Sequence, residues 1–202
     1  MSTRREKPRI AFQGERGAFS EEAARKLLGA DIVLVPRATF AALFTSLDED
    51  VADFILAPVE NSITGPIDET AGLAQKQSLA IRGEVSLLIT QNLIGCTGSS
   101  LETIATVESH PVALAQCKRF FEEHPQLKVI PSDDTAGSVA QVIGCGDQTR
   151  AAIAGRRAAE IYGGIILREH LEDEAENYTR FLLLEHSSNS GVSTTCVSGC
   201  AR

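Results

Sequence analysis

The chain has 202 residues, 43% of them hydrophobic and 23% charged, with a formal net charge of -8 and a pI near 5.1. That balance is globular, and the length suits one domain or two small lobes. The acidic surplus argues against nucleic acid, which needs a basic face, but not against a small anion, since a helix N-terminus and one or two arginines can dominate locally.

The segment from Met1 to Pro8 is charged and runs straight into a short strand, which is unlike a signal peptide. No run reaches the roughly 18 apolar residues of a membrane span, so a soluble cytoplasmic protein is expected. Residues 9–13 read as a buried strand, 14–17 as a turn and 18–28 as a helix with Ser20 near its start. A strand at 32–35 precedes a helix at 40–47, for which Thr39 is a cap and Phe40, Leu43, Phe44 and Leu47 keep helical spacing. A third strand covers 53–59, and Gly65-Pro66 opens a helix to about 76. The long apolar stretch 79–94 suits a crossing between lobes.

Beyond it, strands are expected at 103–107, 127–130, 150–154 and 164–167, and helices at 111–123, 135–143 and 156–162. Gly144-Cys145-Gly146 ends the second of these helices. The last strand covers 181–184, with the polar cluster Glu176-Asn177-Tyr178-Thr179-Arg180 at its entrance. Strands alternate with helices throughout, which gives an α/β class with mainly parallel sheets in two lobes. After Glu185 the composition collapses to Ser, Gly, Thr and Cys, and 187–202 is expected to be a disordered tail. Cys96, Cys117, Cys145, Cys196 and Cys200 are odd in number and widely spaced, as in reduced thiols. Cys196 and Cys200 have no histidine or carboxylate beside them, so no metal site is expected.

Five segments share one layout, a short apolar strand, a polar or glycine-rich turn and a helix start: 13–20, 58–62, 108–111, 132–136 and 154–156. In open α/β sheets ligands bind beyond such strand ends, where helix N–H groups face anions. Each piece also has a plain structural role. Ser20, Thr39, Ser109 and Thr135 suit helix caps, and His110 suits a helix start. Glu60 suits an acid catalyst or a bond to turn amides. Gln116 by itself is a helix-surface residue, and Phe40, Phe44, Phe120 and Phe121 suit the core. Gly14 and Gly17 are half a dinucleotide fingerprint, with no acidic residue after the next strand to complete it.

Together the segments resemble the prephenate dehydratases. Asn177-Tyr178-Thr179-Arg180-Phe181 resembles their Asn-x-Thr-Arg-Phe motif, and Glu108-Ser109-His110-Pro111 with Ala115-Gln116-Cys117 resembles a second. Pro58-Val59-Glu60-Asn61-Ser62, the 14–20 segment and Ala151 to Ala154 with the Ala158-Ala159 and Tyr162-Gly163 pairs follow in family order over about 9–185. The resemblance implies a fold like a type II periplasmic binding protein, with the site in the cleft between lobes. The catalytic unit would be 8–186, with lobe 1 at 8–83 and 173–186 and lobe 2 at 84–172.

The resemblance also implies conversion of prephenate to phenylpyruvate without a cofactor. By motif, Thr179 donates to the departing hydroxyl, and Asn61, Ser109 and Gln116 position substrate. Thr135 would take the pyruvyl carboxylate. Arg180 would grip a carboxylate or form a salt bridge to an acidic residue of the other lobe. Glu60, His110, Ser20 and Phe181 would be supporting residues. The family's ACT motifs do not occur in the sequence, so no phenylalanine effector site is expected, while a homodimer or larger homo-oligomer is. The alternatives are an arogenate dehydratase, a solute-binding module of the same architecture and a degenerate paralogue.

Overall fold

The computed structural model describes residues 7–187. The expected tail, with Cys196 and Cys200, lies outside the described residues except for Ser187. The described residues form two sheets. The first uses β1 (Arg9–Gln13), β2 (Val33–Arg37), β3 (Phe54–Asn61), the two-residue β4 (Gly65–Pro66), β5 (Leu79–Leu88) and β11 (Tyr178–His186) in the order β2-β1-β3-β11-β5, with β4 on β3. The second uses β6 (Asn92–Gly95), β7 (Thr106–Ser109), β8 (Lys128–Pro131), β9 (Arg150–Ala154) and β10 (Ile165–Arg168) in the order β10-β6-β9-β7-β8.

Both sheets are mixed, where mainly parallel ones were expected. β1 pairs in parallel with β2 and β3, but β11 returns antiparallel to both β3 and β5. In the second sheet β7 is parallel to β8 and β9, while β6 is antiparallel to β9 and β10. The cause is the crossing: the chain enters the second sheet through β6 and re-enters the first through β11, against the direction of the strands already there.

Among the described residues seven helices flank the sheets: α1 (Phe19–Leu28), α2 (Phe40–Asp48), α3 (Asp68–Ala74), α4 (Pro111–Ala115), α5 (Lys118–Glu123), α6 (Thr135–Cys145) and α7 (Arg156–Tyr162). Thr39 caps α2 as expected, taking the Ala42 N–H at 3.1 Å. Two helices depart from expectation. Gly65-Pro66 is not a helix start, because both residues pair with β3 as a hairpin arm. The helix expected over 111–123 breaks at Gln116-Cys117, because Asp173, arriving from far along the chain, takes the Lys118 and Arg119 N–H groups at 2.8 and 3.0 Å and caps a separate α5.

The halves meet along α1 and α7. Phe12 and Ala18 of the first half pack into a buried cluster with Ile94, Val139, Ala154 and Ala158 of the second. Burying a side chain the size of Phe12 contributes about 2–3 kcal/mol. Gly17 has φ +88°, and a Cβ there would stand 2.8 Å from the Ala158 Cα, so only glycine permits the approach. Beside it Glu21, fully buried, takes Arg16 Nε at 2.8 Å, Gly17 N–H at 3.0 Å and Arg25 Nε at 2.9 Å, with Arg157 of α7 3.8 Å away. Burial pushes the Glu21 carboxyl up, but the Arg16, Gly17 and Arg25 donors outweigh it and hold it below its ordinary value.

Candidate active site

β11 begins at Tyr178, not at Phe181, because β3 and β5 pair with it on both sides from its first residues. Thr179 is therefore inside a central strand, opposite Asn61 on one side and Leu87 on the other. Polarity hid this: backbone pairing carries the strand past the apolar run.

Asn61 ends β3 and turns the chain. Its Oδ1 accepts the N–H groups of Ile63 and Thr64 at 3.0 and 3.1 Å. An amide whose oxygen is held this way must turn its nitrogen the other way. Asn61 Nδ2 accordingly donates to Asn177 Oδ1 at 2.7 Å and to Thr179 Oγ1 at 3.0 Å. The same logic passes along the row. Asn177, whose oxygen is taken, donates from Nδ2 to Gln116 Oε1 at 3.1 Å. Gln91 Nε2 reaches the same Gln116 oxygen at 3.4 Å. Thr179, Asn61, Asn177, Gln116 and Gln91 thus form one row of side chains joining β11 and β3 to the end of α4.

Asn61, Asn177, Gln91 and Thr179 are all buried, Thr179 at 9% exposure being the one nearest solvent. Thr179 Oγ1 accepts from an amide, and its own proton has no acceptor among the described residues. Gln116, with its oxygen doubly engaged, likewise keeps its Nε2 hydrogens uncommitted there. The row can therefore offer two donors, a hydroxyl and an amide, and no base beside the hydroxyl.

The remaining expected residues fall elsewhere. Arg180 alternates to the opposite face of β11 from Thr179. Its partners are Glu60 at 3.2 Å and Glu84 at 3.5 Å, both in the same sheet, so the ion pair expected across to the other lobe is instead a cross-strand one. Glu60 is exposed and spent on that pair. Ser109 is fully buried and donates to the Ile153 carbonyl at 2.6 Å, tying β7 to β9. His110 is the N-cap of α4, its Nδ1 accepting the Val112 N–H at 3.2 Å. Glu108, 3% exposed, is held by Arg150 at 2.6 Å. Phe181 is core, and Ser20 is buried in the first turn of α1. Thr135 is not the cap of α6. Asp134 is, with its carboxylate 2.6 Å from the Gly137 N–H, so an acid already holds the end expected to seat a carboxylate.

A cleft of about 640 Å³ lies between the halves, lined among others by Gly14, Glu15, Thr39, Asp133, Asp134 and Gln141. It includes none of the expected site residues, and its Glu15, Asp133 and Asp134 carboxylates would repel a dicarboxylate. The amide row, and not this cleft, holds the residues suited to the site.

Gln91 was not among the residues expected at the site, and Asn177 was expected there only as part of the motif, with no role of its own. A signal for Gln91 exists: Thr90-Gln91-Asn92 is a polar triplet inside an otherwise apolar 79–94 stretch. No group of three or more potential metal ligands occurs among the described residues. Cys96, Cys117 and Cys145 are free, and burial pushes the Cys117 thiol up to about 12. No described helix is long and apolar enough to cross a membrane.

Comparison with known proteins gives one consistent family. The family model described as prephenate dehydratase matches residues 10–189. A bifunctional chorismate mutase/prephenate dehydratase of Neisseria gonorrhoeae is 39% identical over 178 residues, covering 88% of this chain and 49% of that protein. A solved structure titled as a novel type of quorum quenching acylase, GqqA, superposes with a TM-score of 0.79 at 32% identity, covering 88% of this chain and 64% of that one. A prephenate dehydratase from Arthrobacter aurescens, solved with L-Phe, superposes with a TM-score of 0.78 at 30% identity, covering 88% and 60%. Further curated relatives carry the name arogenate dehydratase. The chain spans about half the length of the curated relatives it matches.

Proposed function

The chain belongs to the prephenate dehydratase family, and from that premise we propose that it converts prephenate to phenylpyruvate, carbon dioxide and water. In this reaction the bond from the ring to its carboxylate breaks, that electron pair enters the ring, and the bond to the hydroxyl across the ring breaks. One proton, ultimately from solvent, joins the departing oxygen. Aromatisation drives the step, so the protein's task is to orient the substrate and stabilise charge on the leaving oxygen.

The carrying observation is the direction of the hydrogen bond between Asn61 and Thr179. A hydroxyl that accepts from an amide is polarised toward donating its own proton, which here is uncommitted. Thr179 is read as the donor to the leaving oxygen, Asn61 as the group that aims it, and Gln116 Nε2 as a donor to the substrate. Arg180 is read as a tie between strands that fixes the register of β11. Ser109, buried against a carbonyl, is read as support for the end of β7.

The name of the acylase structure raises nucleophilic use of the same hydroxyl. A threonine nucleophile needs a base to take its proton, and the partner of Thr179 is an amide N–H, which cannot. Incubation with prephenate, arogenate and an N-acylated amine, each followed by product formation, tests the proposal. Phenylpyruvate from prephenate is expected. Preferred turnover of arogenate would move the assignment to that substrate, and hydrolysis of the acyl amide bond without dehydration would overturn it.

A further inference from the structure

Gln91 belongs to neither sheet. It sits on the 89–91 crossing, 2% exposed, where the outgoing and returning chains meet. Its carbonyl accepts the Leu171 N–H at 2.8 Å and its own N–H donates to Glu172 at 2.7 Å, so the backbone is clamped from the returning segment. The same segment takes the Gln116 carbonyl through the Asp173 N–H at 2.7 Å and leads on to Asn177. Gln91 and Gln116 are thus both held by the 171–177 return, with their side chains in contact.

The side chain of Gln91 is asymmetric in its bonding. Nε2 donates to Gln116 Oε1, while Oε1 is buried without a partner. A buried unpaired acceptor costs free energy, and packing alone would be served by an apolar side chain. What the glutamine adds is the donor. The opposite rotation of the amide would bring its oxygen against Gln116 Oε1, so this orientation is fixed by the row that starts at the Ile63 and Thr64 N–H groups.

We propose that Gln91 is a positioning residue for substrate binding: by holding Gln116 Oε1 it keeps the Gln116 Nε2 donor turned toward the substrate. Asn177 holds the same oxygen from the other half, so Gln116 is gripped from both the outgoing and the returning crossing. The inference rests on the reading of Gln116 as a substrate-binding group.

The test is a double-mutant cycle in steady-state kinetics with prephenate, with thermal melting of each variant. Gln91→Met removes the donor at similar volume. It is expected to raise KM about tenfold, the size of one lost hydrogen bond, with kcat near wild type. In a Gln116→Met background the same change should add nothing, because its effect passes through Gln116. Gln91→His, which keeps an N–H donor at comparable reach, should recover most of the loss and also serves if the Met variant does not fold. Additive effects of Gln91→Met and Gln116→Met, or equal losses with His and Met, overturn the proposal. Both results leave the dehydratase assignment standing if the wild type turns over prephenate. A wild type without turnover sinks that assignment and this inference with it.

Discussion

Asn61 donates to Thr179 across 3.0 Å, and it does so because its own oxygen is pinned by the Ile63 and Thr64 N–H groups. A turn at the end of β3 thereby sets the direction of a hydrogen bond to a hydroxyl on β11. Two consequences can be measured at that pair.

Thr179→Val keeps the volume and removes the hydroxyl. Loss of one donor to a developing oxyanion costs about 10²–10³ in kcat, so turnover should fall by that factor with KM and melting temperature little changed. Thr179→Ser should retain most activity. Steady-state kinetics of the two variants checks the pair, and a Val variant near wild-type rate removes Thr179 from the reaction.

Asn61→Asp reverses the hydrogen bond. One carboxylate oxygen still meets the turn N–H groups, and the other faces Thr179 Oγ1 and Asn177 Oδ1 as an acceptor. The threonine proton then turns inward and is lost to the substrate. The expected fall in kcat is again about 100-fold, with a lowered melting temperature as well, because a buried carboxylate then opposes the Asn177 Oδ1 acceptor. Kinetics together with circular-dichroism melting separates the two effects.

Arg180 gives a contrasting expectation. Its pairs with Glu60 and Glu84 are all about half exposed, with side-chain exposures of 42%, 51% and 53%, and such pairs are worth about 0–1 kcal/mol. Arg180→Gln should lower the melting temperature slightly and leave KM within about fivefold, since 1 kcal/mol is a factor of about five. A KM increase of tenfold or more would give Arg180 the carboxylate of the substrate.

Glu21 links stability to pH. Its carboxyl is depressed in the folded chain, so its contribution is fully present above the ordinary value near 4.5 and is lost as pH falls through the lower folded value. Denaturant midpoints measured from neutral pH down to acid should show this loss. Glu21→Gln should destabilise by about 2–3 kcal/mol at neutral pH, the scale of a hydrogen bond to a charged group, and should flatten the acid dependence.

Gly17 tests the contact between the halves. Gly17→Ala forces a Cβ onto the Ala158 backbone at a positive φ. Strain plus overpacking should cost about 2–4 kcal/mol. Urea unfolding of the variant measures it, and an unchanged midpoint would mean the halves separate freely at α1 and α7.

Much of this protein follows from local rules that act within a few residues. The apolar runs at β1, β3 and β9 and the Thr39 cap of α2 are legible because burial and capping depend on neighbours in sequence. The family motifs around Asn61, Ser109, Gln116 and Thr179 are legible because their spacing is itself the signal. What the sequence leaves open is set by contacts between distant residues. Asp173 splits one expected helix into α4 and α5 from more than 50 positions away, and so places Gln116 at a helix end. Double pairing carries β11 back over Thr179, and strand alternation then sends Thr179 and Arg180 to opposite faces. Gln91 joins the site only because two crossings of the chain meet there. Hydrogen-bond direction is a property of a whole row of amides, and it exists only once folding has brought Ile63, Asn61, Asn177, Gln116 and Gln91 together.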